Sequence, residues 1–359
     1  MAALASLVLA ISCSPDGPLS VAISAADTPT NSTFRAIKAI DDSTVWAAGS
    51  GNTVVRTTDG GESWDVFTVG DSLRTEFRSL MAWDANTALV FTIDSPAVGY
   101  RTDDAGRSWK QVYYNASEGM FIDSVCFLDD LHGVAVGDPI DGRIFVITTS
   151  DGGRTWTEMQ GPENPGGMFA ASNTCVTMVP PSTVLIAASS SQVHILSQDN
   201  GWRTVETPIV RGADNGCDGC YGIRMLDSDN GFLYGGNYEY VTNASGVLAY
   251  TSDGGSSWVP CENGIHGFVS ALEIIQPNAG SCKKGSRKAG EWLIASGSDG
   301  ISVCHDGASA IFSGSGSRHW ESISALLPDG ISGYHALSST GTTIWAAGSH
   351  GHIARIQIR

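Results

Sequence analysis

The sequence predicts an all-β fold, a seven-bladed β-propeller closed by pairing of its N-terminal strand into the last blade. A turn motif recurs with a period of roughly 50 residues, and seven short opening segments keep the same period. A composition of 43 glycines with only 16% charged residues favours many tight turns over long helices. Residues 1–17 are interpreted as a leader with a short linker, and residues 18–359 as a single propeller domain.

The turn motif has the pattern Ser/Thr-x-Asp-x-Gly-x-x-Trp. Four copies are complete and two are degenerate, and consecutive aspartates are 45 to 54 residues apart, which suits four short strands with their turns. The Asp carboxylate can accept backbone N–H bonds, the Gly can adopt a positive φ, and the Trp can cover a joint between sheets. We therefore interpret these residues as structural. The aspartates are Asp59, Asp104, Asp151, Asp199, Asp253 and Asp306.

Two further segments repeat with the motif. An apolar run such as Val45–Gly49 precedes each turn and is predicted to be a strand buried between blades. An opening strand comes before it. The seventh repeat stops before a fourth strand, and the alternating segment Leu19–Ile23 is predicted to supply that strand; closure leaves few free edges, as suits a monomer. The opening strands are Phe34–Ile37, Phe77–Leu80, Ile122–Val125, Ser172–Cys175, Cys220–Ile223, Val269–Leu272 and Tyr334–Leu337.

The turn motif resembles the Asp box of BNR and sialidase-type repeats. The longer segment from Val45 to Trp64 is similar to the photosystem II assembly factor (Ycf48/Hcf136-like) family, and the resemblance covers nearly the whole chain after the leader. It implies that each motif forms an Asp-box hairpin between the outer strands of a blade. It also implies a binding or assembly role without catalytic chemistry.

The starts of the opening strands are predicted to form a polar ring. In a propeller the opening strand lines the central channel, so these starts meet at one mouth, where ligands often bind. The second position of all seven strands is polar, whereas the fourth is apolar or Cys. Two Arg residues favour a carboxylate-bearing ligand; side chains that only bond the backbone around a water-filled channel are the alternative. The ring residues are Arg35, Arg78, Asp123, Asn173, Tyr221, Ser270 and His335.

Two function classes follow from these patterns. The first is a binding or assembly module that presents the channel mouth to a protein partner or a small carboxylate or saccharide ligand, with no cofactor and no metal. The alternative is a sialidase-like glycoside hydrolase acting on an acidic sugar, suggested by the Asp boxes and by Phe34-Arg-Ala-Ile37. Its only candidate third substrate-binding Arg is Arg224. Its candidate nucleophile pair is Tyr221 with Glu239 or Glu262.

The net charge and the N-terminal segment limit the possible partners and the possible location of the protein. A net charge of −17 opposes binding to nucleic acid or to an anionic membrane, since both reward clustered Lys and Arg. No stretch after the leader approaches the roughly 20 apolar residues of a transmembrane helix. The apolar run ending at Ile11 predicts an export signal, and Ala10-Ile-Ser-Cys13 offers Cys13 as a lipidation site instead. We expect a secreted, periplasmic or outer-surface protein.

An exported protein could carry two covalent features, N-linked glycans and disulfide bonds. Asn31 begins an Asn-x-Thr triplet, and Asn115 and Asn243 begin Asn-x-Ser triplets. All three are candidate N-glycosylation sites if the source is eukaryotic. Cys217 and Cys220 are a close pair in a Gly-rich segment. They predict a small disulfide loop, with a zinc site as the weaker interpretation.

Overall fold

Antiparallel strands form seven sheets, the blades of a propeller, in the computed structural model. The structure describes residues 6–11, 19–70, 75–164, 166–198, 200–209, 217–242, 246–261, 265, 267–275, 291–297, 300–304, 311, 320–327, 331, 333–341 and 343–358. The opening strands of neighbouring blades contact one another around the ring. The predicted seven-bladed, all-β architecture is confirmed. Among the described residues no helix has the length and apolar character needed to cross a membrane.

The strands follow the chain in order. The N-terminal strands are β1 (Ser6–Ile11) and β2 (Leu19–Ala25). Blade 1 contains β3 (Phe34–Ala39), β4 (Val45–Gly49), β5 (Thr53–Thr57) and β6 (Asp65–Thr68). Blade 2 contains β7 (Phe77–Ala82), β8 (Ala88–Thr92), β9 (Ala97–Thr102) and β10 (Lys110–Asn115). Blade 3 contains β11 (Ile122–Phe127), β12 (Gly133–Ile140), β13 (Arg143–Thr149) and β14 (Thr157–Met159).

The second half of the ring repeats this order. Blade 4 contains β15 (Val176–Val179), β16 (Thr183–Ala188), β17 (Gln192–Ser197) and β18 (Gly201–Glu206). Blade 5 contains β19 (Asp218–Met225), β20 (Gly231–Asn237), β21 (Leu248–Thr251) and β22 (Val259–Pro260). Blade 6 contains β23 (Ala271–Ile275), β24 (Trp292–Gly297), β25 (Gly300–Cys304) and β26 (Trp320–Ser322), and a 3₁₀ helix (Ser324–Leu326) follows it. Blade 7 contains β27 (Ala336–Ser339), β28 (Thr343–Ala347) and β29 (Ile353–Ile358).

The two ends of the chain close the ring in blade 7. Strand β2 pairs antiparallel with β29, with Val21 opposite Ile358 and Ile23 opposite Ile356. This confirms the predicted closure by the N-terminal strand. Strand β1 pairs in turn with β2, so blade 7 has five strands where four were expected. The export leader that we assigned to residues 1–17 stays a prediction.

The core lies in the joints between blades. A second strand has a neighbouring blade on either side, so both of its faces are apolar, and β4 and β8 are buried at every position. Trp46 of β4 packs in the joint between blades 1 and 2, and Trp345 of β28 packs in the joint between blades 7 and 1. Both belong to identical Trp-Ala-Ala-Gly-Ser segments, whose small residues leave room for the indole rings.

The repeated turns connect the third and fourth strands through one hydrogen-bond pattern. Thr57 Oγ1 donates to Asp59 Oδ1 at 2.8 Å and accepts the Gly61 N–H at 3.0 Å. Asp59 accepts the N–H and the hydroxyl of Ser63, and these bonds lower the pKa of its carboxyl. Trp64 then packs over the joint between blades 7 and 1. Asp104, Asp151 and Asp253 repeat the pattern. Asp199 and Asp306 lie outside the described residues.

Candidate functional site

The ring residues lie at one mouth of the channel because the opening strands are irregular there. In blades 1, 2, 3 and 5 the pairing with the second strand shifts register, so Arg35, Arg78, Asp123 and Tyr221 are each an extra residue without an opposite partner. A β-bulge of this kind re-aims a side chain, and bulges are common beside functional sites. The ring residues of blades 4, 6 and 7 come just before their strands. The polar second position therefore marks a place where the sheets do not pair regularly.

Two arginines share one carboxylate at this mouth. Arg35 Nε is 3.5 Å from Glu76 Oε1, and Arg78 Nη2 is 3.0 Å from Glu76 Oε2. The two Arg side chains are 29% and 26% exposed, so a ligand in the mouth can reach them. Burial and the charge of Arg78 lower the pKa of Arg35, while Glu76 opposes that shift. Glu76 could not be selected from the repeats, because it precedes β7 and does not belong to the repeated strand.

His335 adds a neutral imidazole beside this pair. Its Nε2 lies 3.0 Å from Ser349 Oγ, in the loop between the last two strands of blade 7. Burial, followed by the charges of Arg35 and Arg78, lowers the pKa of His335 to about 4. At neutral pH the mouth therefore carries two guanidinium charges against the one shared carboxylate, and the imidazole contributes hydrogen bonding only.

Asp123 lies in the wall of the mouth. Its side chain is buried and its Oδ2 has no hydrogen-bond partner. Burial and the neighbouring Asp138 raise the pKa of Asp123, while Arg78 opposes that shift. Asp138 in turn accepts the Met168 N–H at 2.9 Å, and burial raises its pKa. Asp123 thus contributes little negative charge to the surface that a ligand would meet.

Residues 172–174 fill the channel below the mouth. This segment was expected to begin the opening strand of blade 4, but that strand starts only at Val176, and Asn173 has a φ of +61°. The segment instead saturates backbone groups on the free, channel-facing edges of other opening strands. Its partners are the Leu80 carbonyl of blade 2, the Val125 N–H of blade 3, the Ile223 N–H of blade 5 and the Ser270 carbonyl of blade 6. The candidate site is therefore a depression at the mouth, and residues 172–174 form its floor.

The predicted ring residues thus fall into two groups: those that are accessible at the mouth, and those whose side chains are already bonded to the backbone. Arg35, Arg78 and His335 stay available at the mouth. The Asn173 amide bonds backbone groups, and the Ser270 hydroxyl donates to the carbonyls of residues 296 and 335. Tyr221 is buried, and its hydroxyl donates to the Cys217 carbonyl at 2.7 Å. For these committed residues the structure favours the backbone-bonding alternative over ligand contact.

Comparisons with known proteins bear on this fold and its repeats. The family model described as Photosynthesis system II assembly factor YCF48 matches residues 18–119. A solved structure, "YCF48 bound to D1 peptide", is 16% identical, with 97% of this chain and 99% of that chain covered and a TM-score of 0.62. Residues 18–119 are thus similar to this family, and the whole chain shares the β-propeller fold of the solved YCF48 structures.

Other solved structures resemble this propeller to a similar degree. "YCF48 from Cyanidioschyzon merolae" is 14% identical, with 93% of this chain and 98% of that chain covered and a TM-score of 0.61. The WD40 propeller domain of Doa1 is also 14% identical, with 92% and 94% coverage and a TM-score of 0.60. Likeness at this level reports the fold, so function has to be argued from the mouth itself. No curated protein sequence matches the chain.

The hydrolase alternative finds no support in this propeller. Arg224 lies three residues beyond Tyr221 along β19, about 10 Å toward the other end of the channel. There it pairs with Glu273 at 3.2 Å instead of joining Arg35 and Arg78. The Tyr221 hydroxyl is occupied, and burial raises its pKa, which opposes a nucleophilic role. Glu262 lies outside the described residues.

The predicted disulfide is absent from the structure. Cys220 is a buried free thiol, 3.4 Å from Thr207 Oγ1, and burial raises its pKa to about 12. The physical reason is the extended chain, since residues three apart are about 10 Å distant, whereas a disulfide needs Cα atoms within roughly 7 Å. Among the described residues no group of His, Cys, Asp and Glu side chains is arranged to hold a metal ion.

The predicted glycosylation sites that the structure describes differ in their exposure to solvent. Asn31 is exposed, whereas Asn115 is half-buried and its Nδ2, the atom that would carry a glycan, donates to the Tyr113 hydroxyl at 3.3 Å. Asn243 and Cys13 lie outside the described residues. Glycosylation and lipidation stay predictions.

Proposed function

We propose that this propeller is a binding or assembly module that holds a polypeptide partner at the channel mouth through a carboxylate of that partner. The observation that carries the proposal is the partly exposed pair of Arg35 and Arg78, which share the Glu76 carboxylate. Guanidinium groups bind carboxylates by charge-assisted, bidentate hydrogen bonds, so a ligand carboxylate can take the place of Glu76 or sit beside it.

The surrounding chain supports recognition over catalysis. Residues 172–174 cross the channel below the mouth and bond to the opening strands of other blades, which favours a partner that rests on the mouth over one that threads through it. The protein has a net charge of −17, yet two arginines lie at this mouth. The mouth therefore favours anionic ligands over neutral or cationic ones. A similar propeller has been solved as "YCF48 bound to D1 peptide", which makes a peptide the first partner class to test. We also propose that the protein acts outside the cytosol, on the strength of the N-terminal apolar run.

Fluorescence anisotropy with a labelled D1 peptide tests this proposal. Arg35→Ala/Arg78→Ala is compared with Arg107→Ala/Arg154→Ala, a control that removes the same charge from two exposed turns. Each charge-assisted bond contributes about 1.5–3 kcal/mol, so the mouth variant should bind at least 10-fold more weakly, and binding should weaken with salt. An equal loss of affinity in both double variants would mean that the effect comes from net charge alone. Binding that survives in the mouth variant would contradict the proposal.

A further inference from the structure

A group of aromatic side chains lies at the same mouth, on the side of blade 5. The Phe169 and Tyr221 rings are 4.1 Å apart, and Phe169 also meets Tyr238 edge-on at 6.2 Å. Phe268 packs edge-on against Tyr221 at 5.7 Å from behind. We call Phe169, Tyr221, Tyr238 and Phe268 the aromatic patch. Tyr238 is 49% exposed, and Tyr240 beside the patch is 60% exposed.

The exposed part of the patch is held in place by buried groups. Asn237 is buried, and its Oδ1 accepts the N–H groups of Glu239 and Tyr240 at 2.8 and 3.2 Å. The Phe268 N–H donates to the Val241 carbonyl at 3.1 Å, which ties the other end of the loop to the patch. Two large aromatic rings are therefore exposed to solvent on a braced backbone. A preorganised aromatic surface of this kind loses little entropy on binding and is typical of interface hot spots.

The aromatic patch faces the arginine pair across the mouth. Arg35 and Arg78 belong to blades 1 and 2, and Tyr221 belongs to blade 5, which is opposite them in a ring of seven. Neighbouring strands are at least about 4.8 Å apart, so opposite sides of such a ring are separated by roughly 11 Å or more. A single sugar ring is too short to contact both sides. An extended polypeptide, at about 3.3 Å per residue, crosses the gap with three to four residues.

We propose that the exposed rings at the aromatic patch, Tyr238 and the neighbouring Tyr240, bind an apolar side chain of the same polypeptide whose carboxylate lies on Arg35 and Arg78. This inference rests on the proposed function and adds a second contact point, so the ligand is a segment with an aliphatic or aromatic residue about three to four residues from a carboxylate. Tyr and Phe supply apolar area for such a side chain, and a tyrosine hydroxyl can bond the ligand backbone. The two contact points set both the composition and the length of the bound segment.

The test uses fluorescein-labelled eight-residue peptides of Gly and Ser with a free C-terminal carboxylate and a single Phe placed one to six residues before it. Anisotropy should give the highest affinity for a spacing of three or four residues. Tyr238→Ser and Tyr240→Ser should each weaken that peptide about 10-fold and remove the spacing preference. Tyr114→Ser is the matched control, because Tyr114 is 57% exposed on the outer strand of blade 2 and should leave affinity unchanged.

The outcomes separate this inference from the proposed function. Binding that depends on the Arg35/Arg78 pair but is unaffected by both Tyr→Ser variants, or is equal at every spacing, overturns the aromatic contact and leaves the anion site intact. Tight binding of a free acidic monosaccharide such as sialic acid, with the same dependence on Tyr238, overturns the two-point polypeptide model. Absence of binding by every peptide, including a labelled D1 peptide, overturns both proposals.

Discussion

Replacing Glu76 by Gln should strengthen ligand binding and weaken the fold at the same time. Glu76 lies between Arg35 and Arg78, at 3.5 and 3.0 Å, and both arginines are about one-quarter exposed. Partly exposed pairs contribute up to about 1 kcal/mol each, so the substitution should lower the free energy of unfolding by about 1–2 kcal/mol. It also removes the carboxylate that competes with the ligand. A released charge-assisted bond corresponds to roughly 10-fold tighter binding of a carboxylate.

Two measurements on one sample read out this opposite pair of effects. Urea denaturation gives the loss of stability, and anisotropy with a labelled D1 peptide gives the gain in affinity. Glu163→Gln is the control, since Glu163 pairs with Arg143 on the outer part of blade 3 and that pair is far more exposed. Unchanged or weaker binding by Glu76→Gln would refute the reasoning, because it would mean that the ligand does not compete with Glu76 for the two guanidinium groups.

Three further predictions concern the fold that holds the mouth together. Ile23→Ala removes a buried side chain from the closing strand and should cost about 2–5 kcal/mol in urea denaturation; a change below 1 kcal/mol would mean that closure contributes little. Gly61→Ala places a Cβ 2.8 Å from Ala26 Cβ at a φ of +88°, so its melting temperature should fall well below that of Gly51→Ala, where φ is +69° but the nearest atom, Thr53 Oγ1, is 3.8 Å away. The pKa of His335 is about 4 in the folded protein against 6.5 ordinarily, so the unfolded chain takes up the proton first, and stability should fall by up to about 3 kcal/mol as the pH drops from 6.5 to 4. Denaturation of His335→Gln across this range should show a smaller loss, and an identical slope in both proteins would contradict the assignment.

The repeats were sufficient to predict the architecture. Each blade carries its own copy of the turn, the buried strand and the opening strand, so errors in one degenerate copy were corrected by the others. Closure could be predicted because the seventh repeat lacks a fourth strand and the segment Leu19–Ile23 has no other place in the repeats. The extra strand β1 could not, because an apolar run at a chain start suits an export signal equally well.

The candidate site was predicted less completely, for physical reasons. The second position of the opening strands located Arg35 and Arg78, since bulges recur at the same place in the repeat. Alignment cannot find Glu76 or Tyr238, which lie in connections whose lengths vary between blades. Nor can it distinguish an exposed polar side chain from one such as Asn173, whose amide replaces missing backbone partners inside the channel.

Hydrogen–deuterium exchange of the full chain, with and without a D1 peptide, tests most directly whether the channel mouth is the binding surface. The account predicts that added peptide slows exchange in the mouth loops around residues 50–52, 75–76, 237–242 and 348–352. It predicts no change in the Asp-box turns at 58–64 and 103–109, which lie at the opposite ends of their strands. Protection confined to those turns or to the outer strands of the blades, with the mouth loops unchanged, would contradict the account.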